Sequence, residues 1–226
     1  MTALTALTDL CPPPAAVPPS PDWTQVENTL GSGLPQDYKQ LVAAYGPGRF
    51  CGFISLYQPH APSEWADLTG PMPTRLRAQI EEVRQTASRP WPLPHPPENL
   101  LAMGVTGNGD YLFWATRPSG APDDWTIAVN EALCAPWFTY DGTVTEFLVD
   151  VLRGAVRVPM FPSDLLDAGI TFTPSQLRCT APAVKPRAPV RTHVIREWAR
   201  ANGYDVPDRG RIPSEILQAW EQANSC

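Results

Sequence analysis

The chain of 226 residues is 43% hydrophobic, contains eight Trp and has a formal net charge of −6. It has no apolar run of about eighteen residues, as a membrane-spanning helix would need, and its N-terminus lacks the basic and continuous apolar parts of a signal peptide. The five scattered Cys form no C-x-x-C pair and only three His occur, which disfavours a disulfide framework and a metal site. We therefore expect a cytoplasmic protein with no membrane partner, no metal and no other cofactor.

The first twenty residues are rich in Pro and are predicted to form a disordered leader. A helix is predicted to begin after Asp22, an N-cap residue, and to end at Gly31. A second helix should follow, with Pro35 in its first turn and Gly46 at its end. Both helices show apolar residues at helical spacing, which indicates that each buries one face.

Residues 21–174 are called the body below. After the two helices, strand and helix signals alternate along the body up to about residue 174. Residues 50–57 are predicted to form one strand, residues 58–73 a loop and residues 74–88 a helix. The tetrapeptide GNGD, residues 107–110, lies between two apolar runs and predicts a hairpin. Two further strands and a helix capped by Thr143 complete an α+β domain over residues 21–174, with an antiparallel sheet of about five strands and flanking helices.

Three short motifs stand in the first part of this body. They are Trp23-x-x-Val26-Glu27, Leu34-Pro35-x-Asp37-Tyr38-Lys39 and Tyr45-Gly46-x-Gly48. Together with the strand signal that follows, they resemble the SUKH superfamily, which includes yeast cell-wall regulators and many bacterial immunity proteins. The resemblance implies a SUKH-like fold and a protein-binding role. Capping, turns and core packing also account for every one of these residues.

No arrangement of side chains in the body predicts catalysis. The carboxylate pairs at 81–82 and 123–124 are adjacent in sequence and point to different faces, so neither can share a proton. His60, His95 and His193 have no Cys or Asp at the spacing of a known catalytic family, and G-x-S-x-G is absent. We therefore expect that the protein is not an enzyme.

Charge is distributed unevenly along the chain. Residues 1–174 hold 9 Lys and Arg against 18 Asp and Glu, a balance of −9, whereas residues 175–226 hold 8 against 5, a balance of +3. Residues 175–190 are rich in Pro and basic side chains and are predicted to be a semi-extended linker. The basic end of the chain is therefore the part suited to nucleic acid.

Residues 191–226 predict a small all-α domain of two helices around a loop. Apolar residues at helical spacing define one face of each helix: Val194, Ile195, Trp198 and Ala199 in the first, and Ile216, Leu217, Trp220 and Ala223 in the second. Gly203 stands where a left-handed C-cap is required, and Pro213 suits a first helical turn. The loop contains Arg209-Gly210-Arg211, whose central residue has no side chain. Such a loop has the shape to enter the minor groove of DNA.

The segment IREWARANGYDVPDRGRIP, residues 195–213, closely resembles the DNA-binding domain of the Lsr family, the actinobacterial nucleoid proteins similar to H-NS. The resemblance implies that Arg209, Gly210 and Arg211 enter the minor groove of A·T-rich double-stranded DNA. We expect Arg191, Arg196 and Arg200 to contact phosphates. That family carries a small β-rich oligomerisation domain before its tether, and this chain has no counterpart, so DNA bridging is not implied. A nucleoid-associated or regulatory role is the expected function.

Two alternatives stay open. The acidic body could neutralise a toxin, because the nuclease toxins bound by SUKH-type immunity proteins have basic surfaces. The tail, residues 175–226, could instead bind a protein, as the subunit-binding domains of acyltransferase complexes do, with Arg209 and Arg211 holding carboxylates.

Overall fold

The computed structural model describes residues 2–16, 19–86, 92–117, 121–132, 136–175, 198–202 and 204. The chain divides into two units, residues 1–177 and residues 178–226, and each is considered by itself. The boundaries predicted at residues 174 and 190 stay predictions. Within the described residues, no helix is long and apolar enough to cross a membrane.

The first unit contains five α-helices and seven strands among its described residues. The helices are α1 (Ala3–Leu10), α2 (Trp23–Leu30), α3 (Gln36–Tyr45), α4 (Pro71–Thr86) and α5 (Val144–Leu152). The strands are β1 (Gly48–Phe50), β2 (Ile54–Leu56), β3 (Leu100–Thr106), β4 (Tyr111–Ala115), β5 (Thr126–Asn130), β6 (Trp137–Tyr140) and β7 (Phe172–Pro174). They form one antiparallel sheet in the order β6-β5-β4-β3-β2-β1-β7. The predicted α+β class is confirmed.

Helix α2 has the predicted termini, because its end residues satisfy the backbone groups that a helix leaves unpaired. Asp22 Oδ1 accepts a hydrogen bond from Gln25 N at 3.2 Å, and Gly31 adopts the left-handed conformation at φ 69°. Helix α5 begins with the predicted capping box, in which Thr143 and Glu146 each bond the other's backbone N–H.

Helix α3 begins one residue later than predicted, so that Pro35 precedes the helix. The first backbone N–H of the helix, that of Gln36, donates to Asp123 Oδ1 at 2.6 Å. Asp123 lies in a 3₁₀ turn (Pro122–Asp124) that is far from α3 along the chain.

The single strand predicted over residues 50–57 is wrong. Two strands lie there, β1 and β2, joined by a tight turn in which Cys51 and Gly52 both have positive φ, at 50° and 64°. Phe53 N donates to Phe50 O at 2.9 Å and closes the turn. Two consecutive residues with positive φ give the turn a twist that matches the twist of the two antiparallel strands it joins.

The sheet is also larger than the five strands predicted, because residues 172–174 return to form β7. This strand pairs with β1, placing Phe172 opposite Phe50. The rings of Tyr45, Phe50 and Phe172 lie within 5.0 Å of one another, centre to centre. The last strand is therefore held by aromatic packing as well as by its hydrogen bonds.

The prediction of a disordered leader over residues 1–20 is wrong for its first part. Residues Ala3–Leu10 form α1, with Thr2 Oγ1 accepting from Thr5 N at 3.2 Å as the N-cap. Leu7 and Cys11 are fully buried, and α1 packs against α5 and α3. Tyr45 Oη donates to the Cys11 carbonyl at 2.5 Å. Tertiary packing thus orders a helix that lies directly before a Pro run.

Candidate nucleic-acid interface

Of the six residues predicted to contact DNA, the structure describes Arg200. It lies in a helical segment, residues 198–201, and its side chain is exposed to solvent. The other five, Arg191, Arg196, Arg209, Gly210 and Arg211, lie outside the described residues, as do Gly203, Pro213 and Trp220.

The end of the helical segment has a defined hydrogen-bond pattern. Tyr204 N donates to Ala199 O at 2.9 Å, and Asn202 N donates to Trp198 O at 3.0 Å. The Asn202 side-chain amide also donates to Trp198 O, at 2.8 Å. A bond from a residue to the carbonyl five positions earlier is the mark of a Schellman motif, which is how helices followed by a glycine commonly end.

The apolar contact that accompanies such a motif is an aromatic stack. The Trp198 and Tyr204 rings lie 5.8 Å apart, centre to centre, at an interplanar angle of 21°. Ala199 is fully buried and Trp198 is half-buried, as the predicted apolar face of this helix requires. Tyr204 keeps 41% of its surface exposed. Sequence reasoning did not assign Tyr204, although its position one residue after Gly203 identifies it as the partner of Trp198.

In the body, the first two SUKH-like motifs are joined by a charged cluster. Glu27 in α2 lies 2.5 Å from Lys39 Nζ in α3, and the same carboxylate oxygen accepts a hydrogen bond from Leu34 N at 2.8 Å. The hydrogen bond from Lys39 is the main reason that the pKa of Glu27 is lowered below its ordinary value of 4.5. These charges therefore hold two helices and the loop between them.

An aromatic series continues from the same motifs into the sheet. Tyr38 is fully buried and packs edge-on against Trp23 at 6.0 Å and Trp114 at 4.9 Å. Its hydroxyl donates to Tyr57 O at 2.5 Å. Burial raises the pKa of Tyr38 well above its ordinary value, so the phenol stays protonated as a hydrogen-bond donor. The motif residues thus build the fold.

The two adjacent carboxylate pairs considered for catalysis also have structural partners. Asp123 caps α3, as described above, and Glu81 forms a two-point ion pair with Arg84, at 2.6 and 2.8 Å. Within the described ranges, no group of three or more His, Cys, Asp or Glu side chains is placed to hold a metal ion.

The fold and the tail define a two-part protein, an α+β body followed by a small basic segment. Residues 21–148 match the family model SUKH_6, described as SMI1-KNR4 cell-wall, and this match spans more than half of the chain. The chain therefore belongs to the SUKH_6 family. Residues 187–223 match the model of the Lsr2 DNA-binding domain, which supports DNA binding by the tail. No solved structure matches the chain.

Proposed function

We propose that the protein binds A·T-rich double-stranded DNA by inserting its Arg209-Gly210-Arg211 loop into the minor groove. The observation that carries this proposal is the match of residues 187–223 to a DNA-binding domain. The charge distribution supports it, because residues 175–226 have a balance of +3 while residues 1–174 have a balance of −9. On this basis we also propose a cytoplasmic protein of the nucleoid that acts as a non-enzymatic DNA-associated or regulatory factor.

The minor groove of A·T-rich DNA is narrow and strongly negative, which favours guanidinium groups delivered by an extended chain. Gly210 has no side chain and lets the backbone approach the groove floor. Base edges in this groove distinguish A·T from G·C pairs and little more, so we expect a compositional preference. Arg191, Arg196 and Arg200 act on the phosphates and set affinity without reading sequence.

The test is a fluorescence titration of the full chain against two hairpin duplexes, one A·T-rich and one G·C-rich. Arg209→Ala combined with Arg211→Ala should remove the preference for the A·T-rich duplex. The matched control is Arg153→Ala combined with Arg157→Ala, which removes the same charge from exposed positions of the body. This control should keep the preference.

Gly210→Val tests the shape requirement separately from charge. It keeps both arginines and adds a branched side chain where the backbone must approach the groove, so affinity for the A·T-rich duplex should fall. If this variant bound as tightly as the wild type, or if the wild type showed no A·T preference, the minor-groove mechanism would be rejected. The tail would then be better explained as a protein-binding module.

A second candidate function belongs to the body. Its family membership and the balance of −9 over residues 1–174 favour a protein partner with a basic surface, such as a nuclease toxin that the body neutralises. The full chain used as bait in its native cell, at low and at high salt, tests this. A salt-released partner with a basic nuclease domain, inhibited by the purified chain, would establish the immunity role; no such inhibition would reject it.

A further inference from the structure

We propose that the hydroxyl of Tyr204 is a contact to the DNA backbone, donating a hydrogen bond to a phosphate oxygen. This inference rests on the proposed function of the tail and adds to it a residue outside the arginine set. It assigns Tyr204 to affinity and not to sequence preference.

The first observation is that the Tyr204 ring is fixed in place. Its backbone N–H is bonded to Ala199 O at 2.9 Å, and its ring lies almost parallel to that of Trp198. A side chain held at both its backbone and its ring loses little conformational entropy when it binds a partner. Tyr204 is therefore preorganised for a contact.

The second observation is that stacking on Trp198 does not explain why residue 204 carries a hydroxyl group. The apolar contact of a Schellman motif needs only an apolar ring, and Phe would supply it. Tyr204 nevertheless carries a phenol and stays 41% exposed, and no residue in the described part of the chain accepts a hydrogen bond from its hydroxyl. Tyr204 and Trp65 are the two large hydrophobic side chains that are strongly exposed among the described residues.

The third observation is position. Arg200 is exposed in the last helical turn, four residues before Tyr204, and Arg209 follows five residues after it. Tyr204 thus lies, along the chain, between a residue proposed to contact phosphate and the loop proposed to enter the groove. Tyr hydroxyls are regular donors to DNA phosphates, and such contacts fix register without reading bases. The weak positive charge of the tail leaves room for uncharged donors to contribute.

The experiment uses the full chain and the same two duplexes over a range of salt concentrations. Tyr204→Phe keeps the ring and should weaken binding to both duplexes alike, by roughly ten- to a hundredfold, because a hydrogen bond to a charged oxygen is lost. Since no charge is removed, the slope of log affinity against log salt should not change. Arg200→Ala should instead reduce that slope by about one unit. Tyr111→Phe, a half-buried position in β4, is the control and should bind like the wild type.

Three results would overturn the inference. Unchanged affinity of Tyr204→Phe for both duplexes would show that the ring has only a structural role. A loss confined to the A·T-rich duplex would show that the residue reads the groove and does not contact the backbone. Failure of the wild type to bind either duplex would reject the DNA-binding function together with this contact. If the wild type lacked an A·T preference while Tyr204→Phe still weakened both complexes, the contact would stand and only the groove mechanism would fail.

Discussion

Asp37 and Thr145 are joined by two hydrogen bonds across 108 residues of sequence. Asp37 Oδ2, in the first turn of α3, accepts from Thr145 N at 3.0 Å and from Thr145 Oγ1 at 3.1 Å. Thr145 lies in the first turn of α5 and is almost fully buried. One carboxylate therefore stabilises the start of its own helix and the start of a second one.

Asp37→Ala should lower the free energy of unfolding of the body by about 1–3 kcal/mol, because a buried N–H and a buried hydroxyl lose their acceptor. Urea unfolding of the full chain, followed by far-UV circular dichroism, measures this. Asp141→Ala removes an exposed carboxylate close in sequence to α5 and should change stability by less than about 0.5 kcal/mol. Equal effects of the two variants would contradict the special role of Asp37.

Leu7→Ala tests the packing of α1. Leu7 is fully buried, so its truncation should destabilise the body by about 2–5 kcal/mol. Thermal unfolding of the full chain gives the measurement, with the exposed Asp9→Ala in the same helix as control. A wild-type melting temperature for Leu7→Ala would mean that the N-terminal segment does not pack on the body.

Glu27 provides a pH-dependent prediction. Its pKa in the folded state is lowered below 4.5, chiefly by the hydrogen bond from Lys39. Its contribution to stability is therefore present above about pH 4.5 and is lost as the pH falls through the lowered folded-state pKa. Glu27→Gln should be destabilised by about 1 kcal/mol at pH 7, and the difference from wild type should narrow below about pH 4.5.

Urea titrations at pH 7, 5, 4 and 3 follow this difference. Glu131→Gln, at an exposed position of the body, serves as the control for loss of one negative charge. A Glu27→Gln difference that stayed constant down to pH 3 would show that the ion pair does not cause the effect.

Trp198→Ala tests the core of the tail. Loss of a large half-buried ring that stacks on Tyr204 should cost about 3–5 kcal/mol, which is comparable with the whole stability expected of a unit of this size. The tail resonances in an NMR spectrum should lose dispersion while those of the body persist. Trp65→Ala is the matched control, because Trp65 is 50% exposed in the body. Dispersed tail resonances in Trp198→Ala would show that this core assignment is wrong.

The elements that were predicted correctly from the sequence are those whose ends are defined by capping or turn residues within the element itself. Asp22, Gly31 and Thr143 cap helices through bonds to residues a few positions away, and the 107–110 tetrapeptide turns a hairpin by itself. Local chemistry of this kind is visible in the sequence because both partners are close together along the chain.

The elements that the sequence missed depend on distant partners. Strand β7 is three residues long and exists because β1 lies beside it, more than a hundred residues earlier. Helix α1 precedes a Pro run and is ordered by α5. The β1–β2 turn places Cys51 at positive φ, and a Cys in the sequence does not indicate such a turn position as Gly or Asn would. In the candidate site, Arg200 is exposed as expected, whereas the role of Tyr204 was identified from its ring stack on Trp198.

The two outer strands of the sheet, among the described residues, bear on how copies of the protein would meet if they bind side by side on DNA, as the proposed function implies. An open sheet edge is a template for joining chains into fibres, and high local concentration increases that hazard. Both outer strands are short, since β6 has four residues and β7 has three. Strand β7 also ends in Pro174, which has no N–H to donate to a strand of another molecule. Neighbouring molecules on DNA are therefore expected to meet through side-chain surfaces, which can separate again, and not by growth of a continuous sheet.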